Sequence, residues 1–90
     1  MEPILIPTML FWENGNTWYG SKGLARFFIQ PTTLAEGEEE PRRQFSVQLW
    51  RGPMSMEFSE ILTTAYFPLS EEGLTQMVGW LEEQAALLNG

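Results

Sequence analysis

The strongest structural signal in the sequence is an alternation of apolar and polar side chains over residues 44–51. Phe45, Val47 and Leu49 would lie on one face of an extended chain. Trp50 would lie on the other face, together with polar side chains. Because side chains alternate across a β-strand, the pattern predicts a strand with one face toward a core. The chain is therefore expected to build an amphipathic sheet.

Further segments are rich in apolar, β-branched or aromatic residues between turn residues, as strands usually are. They are residues 4–12, 17–20, 24–30 and 60–67. Asn14 and Gly15 between the first two segments are typical of a two-residue hairpin turn, because both residues tolerate positive φ. Pro31 is expected to end the third strand. The pattern of the last segment leaves open whether Tyr66 or Phe67 faces the core.

The C-terminal residues have the features of an amphipathic helix. Ser70 is a suitable N-cap, and Glu71 and Glu72 in the first turn would interact favourably with the helix dipole. The predicted core stripe consists of Leu74, Met77, Val78, Leu81, Ala85 and Leu88. Gly73 and Gly79 would each cost this helix about 1 kcal/mol relative to alanine. Gly79 falls on the polar half, where the sequence offers no packing reason for it.

These elements predict an α+β fold, with a four- or five-stranded antiparallel sheet and one C-terminal helix packed on one face. Residues 1–90 are expected to form a single domain. An acidic surface loop is expected at residues 34–43, because glutamates there surround Gly37 and end at Pro41.

The residue types that are missing restrict the chemistry. The sequence contains no Cys and no His, and its twelve acidic residues are all Glu. It therefore lacks a thiolate nucleophile, an imidazole base and the usual ligands of a zinc site. No glycine-rich phosphate-binding motif is present. We expect a protein that is not an enzyme, with no catalytic residue, cofactor or metal site.

The balance of charge is strongly acidic, with a net charge of −7. This charge disfavours direct binding to nucleic acid, because phosphates repel carboxylates. It favours a basic protein partner, whose approach the glutamates would steer. The predicted steering residues are Glu36, Glu38, Glu39 and Glu40 in the loop and Glu82 and Glu83 on the helix.

In size and charge the chain is similar to short acidic proteins of phages and mobile elements, including some anti-CRISPR proteins. Such proteins use rows of carboxylates to imitate a phosphate backbone and occupy a nucleic-acid-binding cleft. The similarity implies an inhibitor or accessory protein that docks on a basic or nucleic-acid-binding protein. No motif carries the resemblance.

Aromatic residues are numerous in the strand segments, and period-2 alternation prevents all of them from pointing inward. One helix covers only one face of a sheet of this size, so the other face is left to solvent or to a partner. Exposed Trp, Phe and Arg side chains have the composition of a protein interface. The predicted partner-binding residues are Trp50, Phe28, Arg26 and Trp18.

Two alternatives use different surfaces. A structural homodimer would use the aromatic face, or the helix flank with Trp80 and Leu87, as a twofold self-interface. A small-ligand binder would stack a ring on Trp12 and Trp18, beside the Asn-Gly turn.

No segment approaches the ~20 apolar residues of a membrane-spanning helix. The apolar N-terminal residues lack the basic region of a signal peptide. We therefore expect a cytoplasmic protein that does not bind membranes.

Overall fold

Four strands pair antiparallel in the order in which they occur in the chain. The structure, a computed structural model, describes residues 4–34, 42–54 and 56–90. The elements are α1 (Met9–Glu13), β1 (Trp18–Lys22), β2 (Ala25–Leu34), β3 (Arg42–Arg51), a 3-10 turn (Met56–Phe58), β4 (Thr63–Pro68) and α2 (Glu71–Asn89). The sheet order is β1-β2-β3-β4. The predicted α+β fold, with an antiparallel sheet and a C-terminal helix, is confirmed.

The core lies between α2 and one face of the sheet. Phe45, Val47 and Leu49 of β3 are at most 1% exposed, as their alternation predicts. Phe27 and Ile29 of β2 lie directly opposite Leu49 and Val47 and share that face. Helix α2 contributes Met77, Leu81 and Ala85 to the same cluster.

Helix α2 begins where the sequence predicts. The Ser70 Oγ accepts a hydrogen bond from the Gly73 N–H at 3.0 Å, and the Ser70 backbone is extended, as in an N-cap. Of the predicted stripe, Met77, Leu81 and Ala85 are buried, and Leu74, Val78 and Leu88 are half-buried. The N-cap and the stripe together fix which side of α2 faces the sheet.

The turn between β1 and β2 is tied to the end of α2. Gly23 has a φ of 59°, which residues with side chains rarely adopt. The Asn89 side chain accepts a hydrogen bond from the Leu24 N–H at 2.7 Å and donates one to the Lys22 carbonyl at 2.9 Å. A Cβ on Gly23 would lie 2.2 Å from the Asn89 Oδ1. The turn therefore needs glycine both for its conformation and for space.

The predicted first strand at residues 4–12 is wrong, because this segment contains α1. Trp12 of α1 is 0% exposed, and its ring packs edge-on against Phe45 with 5.4 Å between ring centroids. The Trp12 indole N–H donates to the Pro7 carbonyl at 3.0 Å. Burial of the largest side chain outweighs the weak local preference of an apolar run for either helix or strand.

The predicted hairpin turn at Asn14 and Gly15 is wrong for a related reason. Gly15 has a φ of 79°, but Asn14 has a φ of −82°. A type I′ turn requires positive φ at both positions. Here Asn14 is the C-cap of α1, and Gly15 provides the left-handed residue that often follows a helix.

Strand β2 continues past Pro31 to Leu34, so the predicted strand end at Pro31 is wrong. Strand β1 pairs with β2 only as far as Trp18 opposite Ile29. Beyond Ile29, β2 has a described neighbour on one side only, and proline is tolerated at such an edge.

One ion pair joins α2 to β1 and to the N-terminal segment. The Lys22 ammonium group contacts the Glu82 carboxylate. The other Glu82 oxygen accepts a hydrogen bond from the Ile4 N–H at 2.8 Å. The hydrogen bond from Ile4 and then that from Lys22 lower the pKa of Glu82. The predicted steering role of Glu82 stays a prediction, but its carboxylate is engaged by Lys22 and by the Ile4 N–H.

Replacing Glu82 with glutamine is expected to lower the free energy of unfolding at neutral pH and to leave it unchanged in acid. The folded-state pKa lies below the ordinary value of 4.5, so the stabilisation is complete above that value. It is lost as the pH falls through the lowered pKa. Urea unfolding across the acidic range measures this difference. Glu83→Gln, at the exposed neighbouring position, is the control, and equal losses in both variants would contradict the assignment.

Candidate protein-binding face of the sheet

The sheet face opposite α2 carries alternate side chains of all four strands, since directly opposed residues of antiparallel strands share a face. One row of this face consists of Tyr19, Phe28, Gln48 and Thr64. The neighbouring rows consist of Ser21, Arg26 and Trp50, and of Gln30, Ser46 and Tyr66. Both α1 and α2 pack on the other side, against the core cluster. We call this second face the open face.

Two tyrosines give the open face its exposed aromatic surface. Tyr19 is 61% exposed and Tyr66 is 59% exposed. Tyr19 lies directly opposite Phe28, and their ring centroids are 4.5 Å apart at an angle of 38°. This paired arrangement holds the two rings together on the surface. An aromatic patch is therefore present, with members that differ in part from the predicted ones.

Phe28 and Arg26 lie on the open face, as the alternation predicts, and both are half-buried. Trp50 also points to this side, but it is only 3% exposed, so its expected exposure is wrong. The chain after β3 passes over the ring, and the indole N–H donates to the Met54 carbonyl at 2.9 Å. Trp50 is therefore buried beneath the surface of this face, and Met54, whose carbonyl it contacts, is 53% exposed.

The predicted position of Trp18 on the partner-binding face is wrong. Trp18 lies opposite Ile29 and therefore on the core face. Its ring contacts Phe11 edge-on at 5.9 Å between centroids. Trp12 is fully buried and Trp18 is half-buried on the core face, so the two rings do not form an exposed pair on which a ligand could stack.

A hollow of about 330 Å³ opens on this face beside β1. It is lined by Tyr19, Ser21, Arg26, Trp50, Met54 and Met56, among others. Arg26 lies directly opposite Trp50. A Cβ on Gly52 would lie 2.6 Å from the Arg26 Nε, so the missing side chain at Gly52 makes room for the guanidinium group. Among the described residues, Arg26 has no carboxylate partner. We call this site the Arg26 hollow.

The charges are divided between the sheet and the rest of the chain. All five basic residues lie in β1, β2 and β3. None of the four described strands contains an acidic residue. Arg26 and Arg42 are the basic residues that the register assigns to the open face. Among the residues of the described strands, the open face therefore carries two arginines and no carboxylate, in a protein that is acidic overall.

The acidic groups that the structure describes lie outside the strands, and one of them, Glu57, directly follows Met56, which lines the Arg26 hollow. Glu83 is exposed on α2, as are Glu71 and Glu72 in its first turn. The predicted steering residues Glu36, Glu38, Glu39 and Glu40 lie outside the described residues. A basic partner attracted by Glu83 would approach the α2 side of the molecule, away from the open face. The two features on which the predicted docking depended, aromatic rings and α2 carboxylates, therefore lie on opposite sides.

The predicted self-association flank of α2 is divided between core and surface. The Trp80 ring packs against Phe67, with 5.9 Å between centroids, and Trp80 is half-buried. Leu87 is 75% exposed. A role for Trp80 and Leu87 in dimerisation stays a prediction.

Tyr19, Tyr66 and Met54 are not among the predicted binding residues. The pairing of Ser46 with Tyr66 and of Phe45 with Phe67 resolves the parity of β4, which the sequence leaves open. The position of Met54 depends on the chain after β3 and has no local signal.

Within the described ranges, no group of three or more His, Cys, Asp or Glu residues is placed to hold a metal ion. Neither described helix combines the length and the hydropathy that crossing a membrane requires. No family model, curated protein or solved structure matches the chain. The function is therefore inferred from the open face itself.

Proposed function

We propose that this protein is a small non-enzymatic binding module that docks on another protein through the open face. The observation that carries the proposal is a set of aromatic side chains on the side of the sheet that neither described helix covers. Tyr19 and Tyr66 are exposed on the two edge strands, and the half-buried Phe28 lies beside Tyr19. Tyrosine, phenylalanine and arginine are enriched in protein interfaces. The aromatic rings among them also lose little conformational entropy on binding.

An inhibitor or an accessory protein can act by binding alone. Such a role therefore agrees with an exposed binding surface. The chain has no His or Cys to support nucleophilic or general-base chemistry. We assign docking to the open face in preference to the glutamate clusters. A partner bound through the exposed glutamates of α2 would leave Tyr19 and Tyr66 in water.

A photo-reactive benzoylphenylalanine at position 66 or at position 87 tests this proposal. Tyr66 and Leu87 are both largely exposed apolar positions, at 59% and 75%, on opposite sides of the molecule. Irradiation in a lysate of the source organism is expected to yield a discrete heterologous product from position 66 and none from position 87. Phe28→Ser in the chain labelled at position 66 should reduce the yield, because Phe28 supports the same surface.

Products from position 87 alone would contradict the proposal and would favour docking through α2. A product of twice the monomer mass from position 66 would favour the homodimer alternative, with the open face as the self-interface.

A further inference from the structure

The Arg26 hollow combines a cation with apolar walls. The Arg26 side chain is half-buried between the open face and the chain at Gly52. The Trp50 indole, Tyr19 and Met54 line the same hollow, and the Ser21 hydroxyl is a further hydrogen-bonding group there. Among the described residues no carboxylate pairs with Arg26, so the donors of its guanidinium group are available to an acceptor on a ligand.

We infer that the Arg26 hollow receives one acidic side chain of the partner protein, with an apolar residue beside it against Tyr19 and Met54. This inference rests on the proposed function and names the chemistry at the centre of its interface. The planar guanidinium group matches a carboxylate with two parallel hydrogen bonds. The Tyr19 and Met54 side chains beside Arg26 add apolar contact area for the neighbouring residue of the partner.

The charge of the whole chain selects a single carboxylate over a polyanion. With a net charge of −7, the protein repels the closely spaced phosphates of a nucleic acid. One carboxylate in an otherwise neutral contact avoids most of that repulsion and still reaches Arg26. The absence of acidic residues from the described strands means that no strand carboxylate competes with it.

Two capped dipeptides test the inference, acetyl-Phe-Glu-amide and acetyl-Phe-Gln-amide, titrated into the isotopically labelled protein and followed by NMR. The Glu peptide is expected to shift the Trp50 indole N–H and the backbone amides of Gly20 and Ser21. The Gln peptide should bind about fivefold or more weakly, because it loses a charge-assisted hydrogen bond pair. Equal affinities, shifts confined to other surfaces, or no binding of either peptide would overturn the inference.

Variants of the two arginines on the open face test which of them causes the preference for the Glu peptide. Arg26→Gln is expected to abolish the preference for the Glu peptide, whereas Arg42→Gln, at the exposed arginine of the same face, should retain it. Because the Arg26 stem packs beside Gly52, Arg26→Lys serves as a second variant that keeps the stem and the charge. It should keep part of the preference, since an ammonium group lacks the planar fork. Loss of the preference in Arg42→Gln alone would overturn the assignment to Arg26.

A negative result in the peptide titration and a negative result in the photocrosslinking have different meanings. Crosslinks from position 66 without a Glu preference would remove the role of Arg26 and leave the open face as the docking surface. Failure of both experiments would remove the proposed function as well.

Discussion

Replacing Trp12 with alanine is expected to lower the free energy of unfolding by about 3–5 kcal/mol. The ring is fully buried, contacts Phe45 edge-on and fills the space between α1 and the sheet. Its loss would leave a cavity and would free the Pro7 carbonyl from its indole partner. A chain of 90 residues is typically stable by about 5–13 kcal/mol, so this single change removes a large fraction of the total.

Urea unfolding followed by far-ultraviolet circular dichroism measures this loss without depending on tryptophan fluorescence. Trp12→Phe retains an aromatic ring but not the indole N–H, and it should cost less than the alanine variant. Leu10→Ala in the same short helix is the control, because Leu10 is 68% exposed. Its effect should stay within about 0.5 kcal/mol. Similar losses for Trp12→Ala and Leu10→Ala would show that α1 does not close the core.

The same substitution at two glycines of α2 is expected to change stability in opposite directions. A Cβ on Gly73 would lie 1.8 Å from the Pro68 carbonyl oxygen, which is a backbone atom with little freedom to move. Gly73→Ala should therefore cost about 1–3 kcal/mol or more, despite the higher helix propensity of alanine. A Cβ on Gly79 would meet no atom within 4 Å. Gly79→Ala should increase stability by about 0.5–1 kcal/mol.

Thermal and urea unfolding measure the change in the free energy of unfolding of each variant relative to wild type. The two variants distinguish a steric clash with a neighbouring element from helix propensity, because the substitution and the helix are the same in both. Stabilisation by both substitutions would mean that α2 does not approach the end of β4 as closely as Gly73 indicates.

The parts of the fold that follow from local patterns could be predicted. The alternation in residues 44–51 identifies β3 and its core face, and Ser70 identifies the start of α2. The antiparallel pairing of β1 with β2 follows from the short connection between Lys22 and Ala25. The N-terminal segment could not be predicted in this way, because an apolar run containing Trp12 suits a strand or a short helix equally well. Its structure is decided by a distant contact with Phe45.

The candidate site could be predicted only in part, for the same physical reason. Parity along a strand assigns Phe28, Arg26 and Trp50 to one side, and the structure agrees on the side. The exposure of a side chain also depends on neighbouring segments. The Trp50 indole, for example, is bonded to the Met54 carbonyl in the chain after β3, and Trp50 is only 3% exposed. Likewise, the sequence shows Glu82 only as one acid among several, whereas its carboxylate binds Lys22 and the Ile4 N–H.

The solution mass of the pure protein, measured by light scattering at low and at high salt, tests most directly whether the open face is free for another protein. We expect a monomer in both conditions, because an available docking surface cannot be occupied by a second copy. Tyr66→Ser serves as the matched variant and should leave the mass unchanged. A dimer in both conditions that Tyr66→Ser dissociates would contradict the account, since the open face would then be a self-interface.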